Sequence, residues 1–407
     1  MNPQLEALGT IRLEAAPTKD EVWESRPEYH VDSLHPEVSR RLKQAMQALD
    51  STGGPAIAVV RGQRGSGKTH VIGWTRQQIQ AQGGFFFYIK LVTGQDFWES
   101  AVGSLVDSLY GKDDGGQEQL LRLLDDLSRQ GGLDPATRAA VTGTTDLTRI
   151  DVDAFVRAIR RLDRQVGNEA ADTARALVLV ASSGEAVEVG NAYLALTELE
   201  PQDRTAWGLS GRRRPAQVVL RDLTRLFALS GPLVFAFDQI DTLVQAVEHR
   251  QSLSSSKVGR TADRLASEIA AGLMELREET RRTLLVVACD TQTWDLIRRT
   301  ALQSALDRVG VIPELGQIPD AGTAGAILAR RFRTGYASIG FTPPYPTWPV
   351  TEAALAEATH RYTARRLLLR VGDHVNECLR TGAAAELTSL TEHALLPTDP
   401  PPSAGPD

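Results

Sequence analysis

Residues 62–69 read GQRGSGKT, and far downstream the apolar run LVFAF ends in Asp238, Gln239, Ile240 and Asp241. The first stretch fits G-x-x-x-x-G-K-[ST] through Gly62, Gly67, Lys68 and Thr69. Glycines at such spacing let consecutive backbone N–H groups turn inward around a phosphate, and a following helix aims its positive end at the same anion. Lys68 would reach the β- and γ-phosphates of a nucleotide and the Thr69 hydroxyl would hold Mg²⁺. The candidate binding stretch is therefore Gly62, Gly65, Ser66, Gly67, Lys68, Thr69 and His70. His70, one step further along the helix, is expected to point elsewhere in a structural or solvated role.

A Mg²⁺ on phosphates also needs a carboxylate, and Asp238 at the end of a strand is in the right order for it. Gln239 stands where an acid would serve as general base. An amide takes no proton at neutral pH, but it can hydrogen-bond a water and orient it. Asp241 offers a carboxylate two residues on, either to accept a proton or to N-cap the helix that begins TLVQAV.

These residues need strands and helices to position them. Four nearly continuous apolar runs, at 56–60, 85–92, 233–237 and 283–289, and a weaker fifth at 309–315, alternate with helix-like sequence. Unbroken apolar runs suit strands buried on both faces, so the pattern predicts an α/β fold with a parallel sheet. A helix is expected over 36–49. About 140 residues separate the second and third runs, far more than one crossover helix requires. Stretches such as QEQLLRLLDDLSRQ predict a helical insertion there. The expected division is a lead-in over 1–34, a nucleotide-binding core over 35–112 and 215–318, an insertion over 113–214, an all-α lid over 319–384 and a Pro-rich disordered tail over 385–407. Charge is uneven: 16 acids against 9 bases between 113 and 200 account for more than the whole net charge of -6.

In this order the residues resemble the AAA+ class of P-loop ATPases, especially its Orc/Cdc6-like and STAND-like branches, over 40–110 and 215–382. The resemblance implies ATP and Mg²⁺ as ligands. It also implies a polar sensor after the fourth strand, at Asp290 or, better, Thr291. It further implies an arginine finger at Arg308 reaching a neighbouring subunit's nucleotide, and a lid arginine, Arg365 or Arg366, on the phosphates. Gln239 in place of glutamate and the long insertion depart from the family's pattern. The wide gap before the acidic strand is similar to P-loop proteins of bacterial phage-exclusion clusters.

The chain has no run of about 18 apolar residues and no signal-like start, so a cytoplasmic, non-membrane protein is expected. Cys289 and Cys378 read as core residues and the seven histidines form no zinc pattern. Basic clusters at Arg212 to Arg214 and at Arg330, Arg331 and Arg333 could meet DNA phosphates. No winged-helix pattern follows the lid. The leading expectation is a slow or assembly-dependent ATPase working with itself or a partner. The alternatives are a nucleotide-gated switch with negligible turnover, in phage defence for instance, and a small-molecule kinase, which the lid arginines and the length argue against.

Overall fold

The structure, a computed structural model, describes all residues except 1, 14–21, 24–26, 53, 93–94, 211–212, 253–257, 301–308 and 392–407. Five parallel strands form one sheet: β1 (Ala56–Arg61), β2 (Phe85–Ile89), β3 (Leu233–Phe237), β4 (Thr283–Cys289) and β5 (Val309–Val311), in the order β2-β3-β4-β1-β5. Alternate residues explain the unbroken apolar runs. Ile57 and Val59, Phe85 and Phe87, Phe235 and Phe237 enter a core on one face. Ala58 and Val60, Phe86 and Tyr88, Val234 and Ala236 enter a second core on the other. Neither face meets water, so neither can be polar.

The second face is covered by α1 (Pro36–Thr52) and α2 (Lys68–Ala81), through Leu42, Met46, Ile72 and Ile79. The first face carries α3 (Phe97–Leu109), α4 (Ala216–Ser230) and the helices of the insertion. The insertion runs from α5 (Gln119–Gln130) through α6 (Arg149–Leu162) and α7 (Ala171–Val180) to α8 (Glu185–Leu194). Its apolar side chains, Leu123, Phe155 and Leu177 among them, belong to the same continuous core as Phe85 and Phe227. The insertion packs on α3 and α4 and so continues the core of this face rather than being held out from it.

The outer edge of β2 is closed by side chains. Ser100, Ser104 and Ser108, spaced four apart on one face of α3, accept from the N–H groups of Val92, Lys90 and Tyr88 at 3.1–3.2 Å. Gln119 accepts from the Phe86 N–H at 2.8 Å and donates to the Phe86 carbonyl at 2.7 Å, as a neighbouring strand would. An unpaired edge is a template for aggregation, and here it is capped by hydroxyls and an amide. The apolar run at 85–92 thus outlasts the strand, whose last residue is Ile89.

At the opposite side, the expected strand at 309–315 stops at Val311. Pro313 has no N–H for the ladder. Pairing resumes beyond it, where the Leu315 N–H donates to the Arg61 carbonyl at 2.7 Å, beside Gly62.

A third core belongs to the C-terminal helices, the segment expected as a lid: α9 (Ala321–Ser338), α10 (Glu352–Ala358) and α11 (Ala364–Thr381) around Phe332, Leu355 and Val371. Two expectations change here. The lead-in contains a helix, α0 (Pro3–Thr10), whose Ala7 and Leu8 are fully buried in the lid core. The stretch assigned to the tail begins with ordered residues: Leu387 and Leu390 are buried in that core, and the Leu390 carbonyl accepts from the Tyr362 hydroxyl at 3.1 Å. The remainder, 392–407, lies outside the described residues.

Replacing Gln119 with Leu would leave the buried Phe86 N–H and C=O without partners, at about 3 kcal/mol. Chemical denaturation should show that loss, with aggregation on refolding increased.

Candidate phosphate-binding site

Parallel strands put their carboxyl ends on one edge, and the register aligns Arg61 with Cys289 and Phe237 with Val287. The segments that follow β1, β3 and β4 therefore meet outside that edge, the usual crevice for ligands of open α/β sheets. Asp238 does not come from the strand next to β1: β4 stands between. Even so, the Thr69 hydroxyl donates to Asp238 Oδ2 at 2.8 Å, joining residues 169 apart in the chain.

The loop over 62–67 takes a backbone path that depends on its glycines. Gly65 and Gly67 have φ of 83° and 102°, conformations that residues with a Cβ rarely adopt. A Cβ on Gly62 would lie 2.4 Å from Ser66 Oγ. The Lys68 ammonium donates to the Gly62 carbonyl at 2.8 Å, and so lies over the loop it follows. Ser66 is buried and its hydroxyl has no hydrogen-bond partner among the described residues, so a donor stands ready beside the cradle.

Asp238 is buried and accepts from three groups: the Thr69 hydroxyl, the Tyr88 hydroxyl at 3.2 Å and the Gln239 N–H at 2.8 Å. Burial raises its pKa and these hydrogen bonds pull it back. Tyr88, buried and beside this carboxylate, has its phenol pushed upward and stays a donor. Sequence reasoning missed Tyr88, which reads only as one of four aromatic-rich strand residues.

Gln239 is exposed and has φ of 61°, a left-handed conformation unusual for a residue with a side chain. Its carbonyl accepts from the Thr242 N–H at 3.1 Å, so Gln239 itself begins α12 (Ile240–Ser252). Asp241 therefore does not cap that helix, as its residue type suggested. It lies in the first turn, and its Oδ1 is buried without a hydrogen-bond partner among the described residues.

After β4, the capping residue is Asp290, whose Oδ1 accepts from the Thr293 N–H at 2.7 Å at the start of α13 (Thr291–Thr300). Thr291 turns aside to donate to Glu314 at 2.9 Å, so its hydroxyl is not directed at the loop. Cys289 is buried beside Asp241 and Asp290, and burial first pushes its thiol up to about 12. Both cysteines are free.

The two lid arginines separate. The Arg365 N–H donates to the Gly65 carbonyl at 3.3 Å, and a Cβ on Gly65 would lie 2.9 Å from that of Arg365. Arg366 instead lies over the Tyr362 ring at 4.7 Å. Arg308 falls outside the described residues.

His70 does not turn into the loop. Its Nε2 is 3.3 Å from His30 Nδ1, and His30 in turn stacks on Trp74. His35 donates from Nε2 to the Ser66 carbonyl at 3.2 Å. The segment 27–35 is held to the lid as well: Arg330 donates to the carbonyl of His30, Arg331 lies 4.8 Å from the Tyr29 ring, and Thr323 donates to Ser33 at 3.0 Å. Two of the three arginines proposed for DNA at 330–333 are therefore internal fasteners. In the other cluster Arg214 pairs with Asp222 at 3.0 Å, and Arg212 lies outside the described residues.

Among the described residues no group of three or more His, Cys, Asp or Glu could hold a metal, and no helix is long and apolar enough to cross a membrane. Comparison with protein-family models, curated proteins and solved structures finds no match for this chain.

Burial, with the positive charge of His30 and Arg331, pushes His70 down from 6.5 to about 3. A depressed base contributes stability that is fully present above 6.5 and lost as pH falls toward 3, because only the unfolded chain takes the proton. Thermal unfolding across that window should show the loss, and His70→Gln should reduce it, with His30 and His35, also held down by burial, supplying the remainder.

Proposed function

We propose that this chain binds ATP with Mg²⁺ at the loop over 62–69 and hydrolyses it slowly, as an AAA+-type switch that couples nucleotide state to the position of its lid. The observation that carries the reading is the 2.8 Å bond between the Thr69 hydroxyl and Asp238. A hydroxyl after the phosphate loop and a carboxylate from another strand are the two protein oxygens that this kind of site supplies to Mg²⁺.

The residues fit that ion. Mg²⁺ takes oxygen ligands and keeps several waters, so one hydroxyl and one carboxylate, with substrate phosphates, suffice. When bound, Mg²⁺ neutralises charge on the β- and γ-phosphates. The loop's N–H groups and the Lys68 ammonium orient the triphosphate, and Arg365 reaches toward its end from the lid. Gln239 orients the attacking water. Asp241, freed from capping, accepts its proton as the bond from the γ-phosphorus to the β,γ-bridging oxygen breaks and ADP leaves.

The left-handed backbone at Gln239 supports its assignment, because strain of this kind, costing about 1–3 kcal/mol, collects where a side chain must be aimed. The same residue favours a second reading, a nucleotide-gated switch with negligible turnover, because an amide cannot act as a base. Lid, lead-in and loop are joined by Arg365, His35 and Arg330, which supports movement of the lid with nucleotide in either case. Arg308 keeps its proposed role as a finger in an assembly with a second copy or a partner protein.

Lys68→Ala should abolish ATP binding in calorimetry. Gln239→Glu should retain binding and raise single-turnover hydrolysis by about tenfold or more, the range of a general base. Unchanged turnover in a variant that still binds ATP would favour the silent switch, and ATP binding by Lys68→Ala would remove the site itself.

A further inference from the structure

Beside the phosphate loop, on the side facing the lid, lies a cavity of about 610 Å³ lined by Gln63, Arg64, Gln317, Arg361, Thr363, Arg365, Arg366 and Leu369. Four of these eight residues are arginines and none is an acid. No carboxylate among the described residues pairs with Arg64, Arg361, Arg365 or Arg366, although the chain pairs many of its other arginines, such as Arg129, Arg214 and Arg225. Four arginines on one lining with no acid among them make the basin positive, and an anion entering it is attracted.

The chemistry of that anion follows from the lining. Arg64, Arg361 and Arg366 are exposed, so the cavity is an open basin and not a closed pocket. An open basin suits a chain that passes through it better than a small molecule that must be enclosed. Guanidinium forks match phosphate oxygens in pairs. Arg366 lies over the Tyr362 ring and Leu369 is half-exposed on the same lining, an arginine and an apolar side chain on which a base can stack. The start of α11 adds its positive end beside Thr363.

We infer that this basin binds the backbone of a single nucleic-acid strand through Arg64, Arg361 and Arg366, with Arg365 left to the loop. The strand would touch the phosphate loop directly, at Gln63 and Arg64, and the lid at Arg361 and Arg366. Strand and loop ligand would then alter each other's affinity by the same factor. The contact does not require that the loop hold ATP, so it can fail or stand independently of the proposed function.

Anisotropy of a labelled oligothymidylate across a salt series, with nucleotide omitted, tests the inference. The full chain should bind with strong salt dependence. Arg64→Gln, Arg361→Gln and Arg366→Gln combined should weaken binding at least tenfold and lower the slope by about 2, since each single-strand phosphate contact contributes about 0.7. Arg361→Gln alone, at an exposed position that cannot disturb the fold, should lower the slope by about 0.7. Arg264→Gln, on a distant helix and paired with Glu268, should change neither. Wild-type slope and affinity in the combined variant would overturn the inference. So would loss of strand binding in Lys68→Ala, which would put the strand in the phosphate loop. Displacement by tripolyphosphate as complete as by unlabelled strand would make the basin a small-anion site. Loss of self-association in the combined variant, with strand binding intact, would make it a protein surface.

Discussion

The hydrogen bond from Thr69 to Asp238 requires most of the fold to be in place. Thr69 follows a loop at the end of β1, and Asp238 follows β3, two positions away across the sheet. Their side chains meet only if β4 pairs in register with both strands, as it does from Thr283 to Cys289. A slip of one residue would turn every side chain of a strand to the other face and carry the acid away. Register is fixed because both faces are apolar cores: each strand residue has one acceptable side, set by Phe87 and Phe235 on one face and Tyr88 and Ala236 on the other.

Around that bond, three segments distant in sequence converge on the loop. The lead-in contributes His30 and His35, the lid contributes Arg365, and the chain beyond β5 contributes Leu315 against Gly62. Leu315 and Arg365 approach where only glycine leaves room: a Cβ at Gly62 or Gly65 would meet heavy atoms closer than 3.0 Å. The Ser66 and Gly65 carbonyls of the loop are thus held by the lead-in and by the C-terminal helices.

Much of this was legible in the residues. Apolar runs of four to eight residues, with helix-like sequence between them, specified a parallel α/β sheet because burial on both faces removes the alternation of a half-exposed strand. The glycine spacing at 62–67 matched a loop whose Gly65 and Gly67 do take positive φ. The serines at 100, 104 and 108 are visible as a helical stripe too, but their meaning depends on knowing that β2 is an edge. Asp241 was misjudged as a cap because residue type favours capping, whereas the backbone at Gln239 turned early and took the helix start for itself.

The sequence by itself determined the local chemistry: which residues can cradle phosphate, offer a carboxylate or continue a strand, since these depend on neighbours a few positions away. Tertiary structure decided everything set by distant approach. It chose Arg365 over Arg366 beside Gly65, turned Thr291 to Glu314, spent Arg330 and Arg331 on the lead-in and left Arg64, Arg361 and Arg366 without a carboxylate partner among the described residues. Charges in a sequence are equivalent until packing supplies or withholds their counter-ions, and that pairing is a property of the folded chain alone.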